Sequence, residues 1–168
     1  LINRFQNTFD KWIKLACLSE SDMSVFQNQY HFQILFFLPC FLPWQRQTSL
    51  TGKGEYCLYH GNLSVAENKE AAVWLMENVF SRIQIPFVIA GKNISSKIAS
   101  RAKRYANIKL VNNPPIDEIN ALVRDAHINV LPSMNRTGVK LKLLNALLNG
   151  RFCITNHHGI AGSRIKEG

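Results

Sequence analysis

The sequence predicts an α/β fold, a doubly wound parallel sheet with helices on both of its faces. From residue 56 onward, short apolar runs alternate with longer segments whose apolar residues recur at helical spacing. The short runs are predominantly apolar, which is typical of parallel strands buried on both sides. A hydrophobic content of 46% in 168 residues is enough to build one such core.

The predicted elements follow the order β-α-β-α-β-α-β-α-β. The strands are expected over residues 56–60, 86–90, 108–111, 128–131 and 152–155. The helices between them are expected over residues 66–83, 95–106, 116–126 and 138–149. Gly150 suits the position just after the end of the last helix. Upstream, the pattern predicts helices over 5–15 and 22–30 and strands over 16–18 and 32–38.

Function is expected where the strands end, because open parallel sheets bind ligands at the carboxyl edge. The loop before the last predicted helix is the most suggestive of these segments. A helix N-terminus attracts anions, and Gly138 permits a close approach of a ligand to the backbone. Lys142, Asn145 and Asn149 follow Gly138 at helical spacing and form a polar stripe on an apolar helix. This stripe either faces a ligand, or is structural, with Lys142 extending its ammonium to solvent.

The order of these motifs resembles the group 1 retaining glycosyltransferases, whose architecture (GT-B) pairs two Rossmann-like domains. The resemblance rests on residues 129–133 (NVLPS), 137–147 (TGVKLKLLNAL) and 159–162 (GIAG), together with 59–64 (YHGNLS) and 87–92 (FVIAGK). It covers residues 56 to 162. It implies that residues 55–168 are a donor-binding Rossmann-like domain, truncated at its C-terminus. Residues 45–54 would be a linker, and residues 1–44 a remnant of the N-terminal acceptor domain.

The resemblance also implies roles for individual residues in binding a nucleotide-sugar donor, with a UDP- or GDP-sugar expected. Lys142 would neutralise the donor diphosphate, assisted by Lys140, and Thr137 would lie with Gly138 near the sugar and phosphate. The remaining donor contacts would come from Gly61, Asn62, Asn145, His158 and Gly159. No cofactor or metal is expected, since no paired carboxylates suited to a metal are present. The fragment alone is expected to be inactive.

The chain departs from the family pattern at four positions. Many relatives carry two glutamates where Thr137 and Asn145 stand here. Asn62 and Glu67 replace a common Arg and Lys after the first strand. These changes keep open a degenerate transferase-like domain that serves as a binding or scaffold part.

Charge and cysteine content indicate the setting in which the protein works. The net charge is +9, and no acidic residue interrupts residues 92–109, where Lys97, Arg101 and Arg104 share one helix face. That face is either simply solvated or contacts an anionic membrane, which would suit a transferase acting on lipid-linked sugars. The four cysteines show no metal spacing and are expected to be reduced thiols. With no secretory signal, we expect a cytoplasmic protein, peripheral to the membrane at most.

A nucleic-acid-binding module is the rival from another functional class. Such a module would need aromatic residues among the cations to stack on bases. Tyr105 is the only aromatic residue between positions 92 and 109, so this interpretation is less favoured. The acceptor is a glycan or a lipid-linked sugar in the transferase interpretation, with cell-surface polysaccharide synthesis as the expected process.

Overall fold

The computed structural model describes residues 14–30, 34–44, 46–163 and 165. They form two compact units. The smaller is built from the described parts of Leu1–Pro43, Arg136–Lys140 and Ile160–Gly168, and the larger from Trp44–Asn135 and Leu141–Gly159. The helix expected over residues 5–15 falls outside the described residues, apart from Lys14 and Leu15.

The smaller unit contains a parallel strand pair. Strand β1 (Leu15–Cys17) pairs with β2 (Leu35–Phe37), and α1 (Glu20–Tyr30) connects them. The Ser19 side chain accepts a hydrogen bond from the Asp22 N–H at 3.3 Å and so caps the first turn of α1. The predicted order strand, helix, strand is therefore present in this part of the chain.

The larger unit contains a five-stranded parallel sheet, which confirms the predicted α/β class. In chain order its elements are β3 (Cys57–Asn62), α2 (Ala66–Leu75), β4 (Phe87–Lys92), α3 (Ser96–Ala102), β5 (Ile108–Asn112), α4 (Ile116–Asp125), β6 (Ile128–Val130), α5 (Leu141–Asn149), β7 (Phe152–Ile154) and α6 (His157–Ile160). The strands lie in the order β5-β4-β3-β6-β7.

The direction of the crossovers places the helices on opposite faces. The chain steps one way along the sheet from β3 to β5, through α2 and α3, and the other way from β6 to β7, through α5. Because parallel crossovers are right-handed, α2 and α3 cover one face, while α5 covers the other. Helix α4, which packs against α5, lies on that second face too. The core between these layers includes Leu58, Tyr59, Phe87 and Ile89, which are fully buried.

Three predicted helices have clearly different bounds in the structure. The helix expected over residues 95–106 spans only Ser96–Ala102. The helix expected over residues 66–83 ends in a π-helical turn, Met76–Phe80. The Asn107 carboxamide donates hydrogen bonds to the carbonyl groups of Phe80, Ile83 and Ile85, at 2.9 to 3.1 Å, and so holds the chain beyond the helix in a loop. The helix predicted to start at Gly138 starts instead at Leu141, because Gly138 has a φ of 67° and cannot continue a right-handed helix.

The expected linker contains neither helix nor strand among residues 46–54. It is nevertheless fastened within the larger unit by side-chain and backbone hydrogen bonds. The Thr48 hydroxyl donates a hydrogen bond to Asn149 at 2.6 Å, and the Gly54 N–H donates to the His127 ring at 3.3 Å. A Cβ atom on Gly54 would meet the His127 backbone nitrogen at 2.5 Å, so this position requires glycine.

Candidate donor-binding site

Lys142 lies in the first turn of α5, and its ammonium group reaches a buried tyrosine of β3. Its Nζ donates hydrogen bonds to Asn68 Oδ1 at 3.0 Å and to the Tyr59 hydroxyl at 3.4 Å. The same nitrogen stands 4.8 Å from the centre of the Tyr59 ring. No acidic residue occupies the first turn of α5, where the positive end of the helix dipole would stabilise an acidic side chain. The lysine therefore adds its charge to the positive end of the helix.

Asn68, in the first turn of α2, connects Lys142 to the carboxyl end of β3. Its side chain accepts from Lys142 and donates through Nδ2 to the Asn62 carbonyl at 3.1 Å. Its carbonyl accepts from the Tyr59 hydroxyl at 3.0 Å. A Cβ atom on Gly61 would come within 3.3 Å of the Asn68 side chain. Gly61, Asn62 and Lys142, three of the predicted site residues, are thus brought together around Asn68.

The Asn62 carboxamide is fixed in one orientation. Its oxygen accepts hydrogen bonds from the Ser64 N–H at 3.1 Å, the Ser64 hydroxyl at 2.8 Å and Asn93 Nδ2 at 3.2 Å. A backbone N–H can only donate, so the oxygen must face Ser64. The Asn62 Nδ2 group then points away from these partners, on an exposed residue at the end of β3. It is a positioned neutral donor at a position where the family resemblance implied a cation.

Asparagine side chains also hold the segments at the carboxyl ends of β4 and β5. Asn112 Oδ1 accepts from the Ile94 N–H at 3.1 Å, and Asn113 Oδ1 accepts from the Asn93 N–H at 3.0 Å. Asn93 and Asn113 both adopt positive φ angles, 60° and 55°, which asparagine tolerates better than most residues. The carboxyl edge over β3, β4 and β5 is therefore lined by neutral amides.

His60 is buried on β3 next to this cluster, with 6% of its surface exposed. Its Nε2 atom has no hydrogen-bond partner among the described residues. Burial, and secondarily the charge of Lys142, lowers the pKa of His60 to about 4. The imidazole is consequently neutral at physiological pH. Burial also raises the pKa of Tyr59, so its hydroxyl remains protonated and can donate to Asn68 while accepting from Lys142.

We expect His60 to make the fold sensitive to acid. Its folded pKa of about 4 lies below its ordinary value of 6.5, so the unfolded chain binds the proton first as pH falls. The stability present above pH 6.5 is therefore lost progressively towards pH 4, by about 3 kcal/mol. Urea unfolding measured across this pH range should show a shallower decline in His60→Gln. The variant His157→Gln, at an exposed residue of α6, is the control, and an equal decline in wild type and His60→Gln would contradict the assignment.

Asn145 and Asn149 form an interior hydrogen-bond chain. Asn149 Nδ2 donates to Asn145 Oδ1 at 2.7 Å, and Asn145 Nδ2 contacts Asn120 Oδ1 of α4 at 3.4 Å. Both carboxamides are buried, with 6% and 7% of their surfaces exposed. The polar stripe predicted on this helix thus includes side chains that join α5 to α4 and, through Asn149, to Thr48. The role of Asn145 as a ribose ligand stays a prediction.

His158 and Gly159 follow β7, two strands along the sheet from β3. Asn156 holds this segment to the end of β6. Its Nδ2 donates to the Ser133 carbonyl at 2.8 Å, and its Oδ1 accepts from the N–H groups of Ser133 and Gly159, both at 3.0 Å. A Cβ atom on Gly159 would meet Thr155 Oγ1 at 1.9 Å, so only glycine fits there.

The three remaining predicted site residues belong to the smaller unit. Thr137, Gly138 and Lys140 lie within Arg136–Lys140. The Lys140 ammonium donates a hydrogen bond to the Thr137 carbonyl, and Thr137 itself is exposed. Gly138 has open space where a Cβ would stand, so its positive φ, rather than crowding, is what favours glycine there.

Comparison with known proteins agrees with the motifs at these strand ends. Residues 54–168 match the profile of the family described as "Glycosyl transferases group 1". The chain belongs to this family. A curated relative, "Uncharacterized 44.6 kDa protein in cps region" of Klebsiella pneumoniae, is 28% identical over 122 residues, which cover 66% of this chain and 31% of that protein.

A solved structure, that of a point mutant of S. aureus TarM, has a similar fold. TarM was crystallised in complex with fondaparinux, alpha-GlcNAc-glycerol and UDP, and it matches with a TM-score of 0.68 and 14% identity. The match covers 84% of this chain and 29% of TarM, so the chain spans less than a third of either protein. This likeness shows the GT-B-type fold.

Asn68 was not predicted as a site residue, although it is the centre of the cluster around Lys142. The signal available was its position in the first turn of the helix after the first strand. Asparagine is common near the start of a helix, so its position alone did not indicate a role in ligand binding.

Proposed function

We propose that the carboxyl edge of the large sheet binds the nucleoside diphosphate part of a sugar donor. The observation that carries this proposal is the Lys142 ammonium, held at the N-terminus of α5 by the neutral acceptors Asn68 and Tyr59. Cation and helix dipole both favour an anion at this point. The UDP in the TarM structure is consistent with such a ligand.

The reaction proposed for the whole enzyme is transfer of a hexose from a UDP- or GDP-sugar to a glycan or lipid-linked acceptor. When the bond between the sugar and the diphosphate oxygen breaks, negative charge develops on the departing diphosphate. Lys142 would stabilise that charge, with Lys140 as a second cation and Asn62 Nδ2 as a hydrogen-bond donor. Gly61 and Gly159 would allow the phosphates close to the backbone.

Thr137 and Gly138 are proposed to lie near the donor sugar, Asn145 near the ribose, and His158 near the phosphates. The process proposed is synthesis of a cell-surface polysaccharide, to which the genomic setting of the Klebsiella relative, a cps region, lends support.

No helix among the residues that the structure describes is long and apolar enough to cross a bilayer.

Calorimetric titration of the 168-residue chain with UDP, GDP and ADP tests the proposal. We expect saturable binding of UDP or GDP, weakened by salt, with ADP bound less tightly. Binding of none of the three would favour the degenerate scaffold interpretation, for which the neutral Thr137 and Asn145 are the sequence evidence. Binding of an oligonucleotide in preference to all three would favour the nucleic-acid module.

A further inference from the structure

The face of the sheet covered by α2 and α3 carries a band of positive charge that the proposed donor site does not use. Residues 92–109 contain six cations and no acidic residue. Three of them are exposed side by side on α3 and in the turn directly after it, and we call them the basic band: Lys97, Lys103 and Arg104.

Large apolar side chains are exposed on the same face, beyond α2. Trp74, Ile83 and Ile85 are 49%, 37% and 46% exposed, and we call them the apolar rim. They line a groove of about 620 Å³ between α2, its π-helical turn and strands β6 and β7. Three neighbouring apolar side chains of this size, left in contact with water, are unusual away from an interaction surface.

Contacts between α2 and α3 make the basic band and the apolar rim parts of one surface. Arg101 of α3 forms an ion pair with Glu77 of the π-helical turn, with 2.9 Å between Nη1 and Oε1. Lys69, Lys97 and the acidic Glu70 line a cleft of about 410 Å³ between the two helices, and Glu70 also lines the groove. Because α2 lies between the cleft and the groove, cations and apolar side chains flank the same helix.

We propose that this surface docks on an anionic lipid bilayer. The basic band would lie at the headgroup phosphates, where each lysine or arginine contributes attraction that salt weakens. The apolar rim would enter the interfacial region, in which tryptophan is a favoured aromatic residue. Membrane contact at this face does not depend on whether the carboxyl edge binds a nucleotide.

A bilayer explains this surface better than a nucleic acid does. Base stacking needs aromatic side chains interleaved with the cations, and Tyr105 is the only aromatic residue within residues 92–109. The exposed tryptophan is instead in α2, grouped with isoleucines that nucleic acid would leave in water. Charge beside an apolar edge is the arrangement of peripheral membrane proteins.

Sedimentation with vesicles tests the electrostatic part. We expect the 168-residue chain to bind vesicles of phosphatidylcholine with phosphatidylglycerol, and to bind pure phosphatidylcholine far more weakly. The triple variant Lys97→Gln/Lys103→Gln/Arg104→Gln should lose roughly 100-fold in affinity. The matched control Lys14→Gln/Arg46→Gln/Lys53→Gln removes three exposed cations elsewhere and should retain most of the binding. Equal loss in both triple variants would overturn the proposal.

Fluorescence quenching by brominated lipids tests the apolar part independently. In the variant Trp12→Phe/Trp44→Phe, which leaves Trp74 as the one emitting tryptophan, the emission should be quenched on binding, while circular dichroism shows that the variant is folded. A tryptophan that is not quenched on bound vesicles would overturn insertion of the apolar rim. Tighter binding to a single-stranded oligonucleotide than to anionic vesicles would replace the membrane with a nucleic acid.

Discussion

Lys142→Ala is expected to weaken nucleoside diphosphate binding by roughly 10- to 100-fold, because charged hydrogen bonds contribute about 1.5 to 3 kcal/mol. The lysine is the cation that Asn68 and Tyr59 hold beside the end of β3. Its removal leaves the helix dipole and the Asn62 amide to face the phosphates. Titration calorimetry of the variant against the tighter of UDP and GDP measures the loss.

The control for Lys142→Ala is Lys53→Ala, which removes an exposed cation of the irregular segment before β3. It should bind nucleotide as the wild type does. Lys142→Arg should bind the nucleotide more tightly than Lys142→Ala does, because arginine restores the positive charge, although its guanidinium differs in shape from an ammonium group. Unchanged affinity in Lys142→Ala would remove this residue from the site.

Gly91→Ala is expected to destabilise the fold by about 3 kcal/mol or more, the upper range for overpacking a core. Gly91 and Gly61 face each other in the register of β4 and β3. A Cβ atom on Gly91 would stand 1.8 Å from the Gly61 carbonyl oxygen, which is backbone and cannot turn aside. Urea denaturation followed by circular dichroism measures the change in the free energy of unfolding.

Gly61→Ala is the matched control, since it adds the same atom at the facing position. There the nearest atoms belong to the Asn68 side chain, at 3.3 Å, which can shift by rotation. We expect a stability loss below about 1.5 kcal/mol, together with weaker nucleotide binding, because Asn68 holds Lys142. Equal destabilisation by both substitutions would show that the backbones of β3 and β4 do not approach each other this closely at Gly61 and Gly91.

The order of elements in the large sheet was predictable because the strand runs, such as residues 86–90, are short and mainly apolar, and each is followed by glycine, proline or a polar residue. Boundaries were less accurate where tertiary contacts decide them. Asn107 closes the segment after Phe80 through three carbonyl groups far away in sequence. Nothing in the helical periodicity of residues 66–83 signals that partner.

The candidate site was predictable in part. The helix N-terminus and the lysine pattern were sufficient to propose Lys142, and the family motif added Gly61 and Asn62. The partners of Lys142 were not predictable, because Tyr59 and Asn68 lie 83 and 74 residues away in sequence. The polar stripe on α5 was ambiguous for a physical reason: amides on one helix face can meet a ligand or, as Asn149 does, hydrogen bond inside the protein.

The most direct test of the donor site is a nucleotide titration followed by amide chemical shifts in an isotope-labelled 168-residue chain. We predict that UDP or GDP shifts the backbone amides of Gly61, Asn62 and Lys142 and the side-chain amide of Asn68, along one saturable curve. Residues of α3, on the proposed membrane face, should remain unshifted. Saturable shifts confined to the basic band, or no shifts at the end of β3, would contradict a diphosphate site at the carboxyl edge of this sheet.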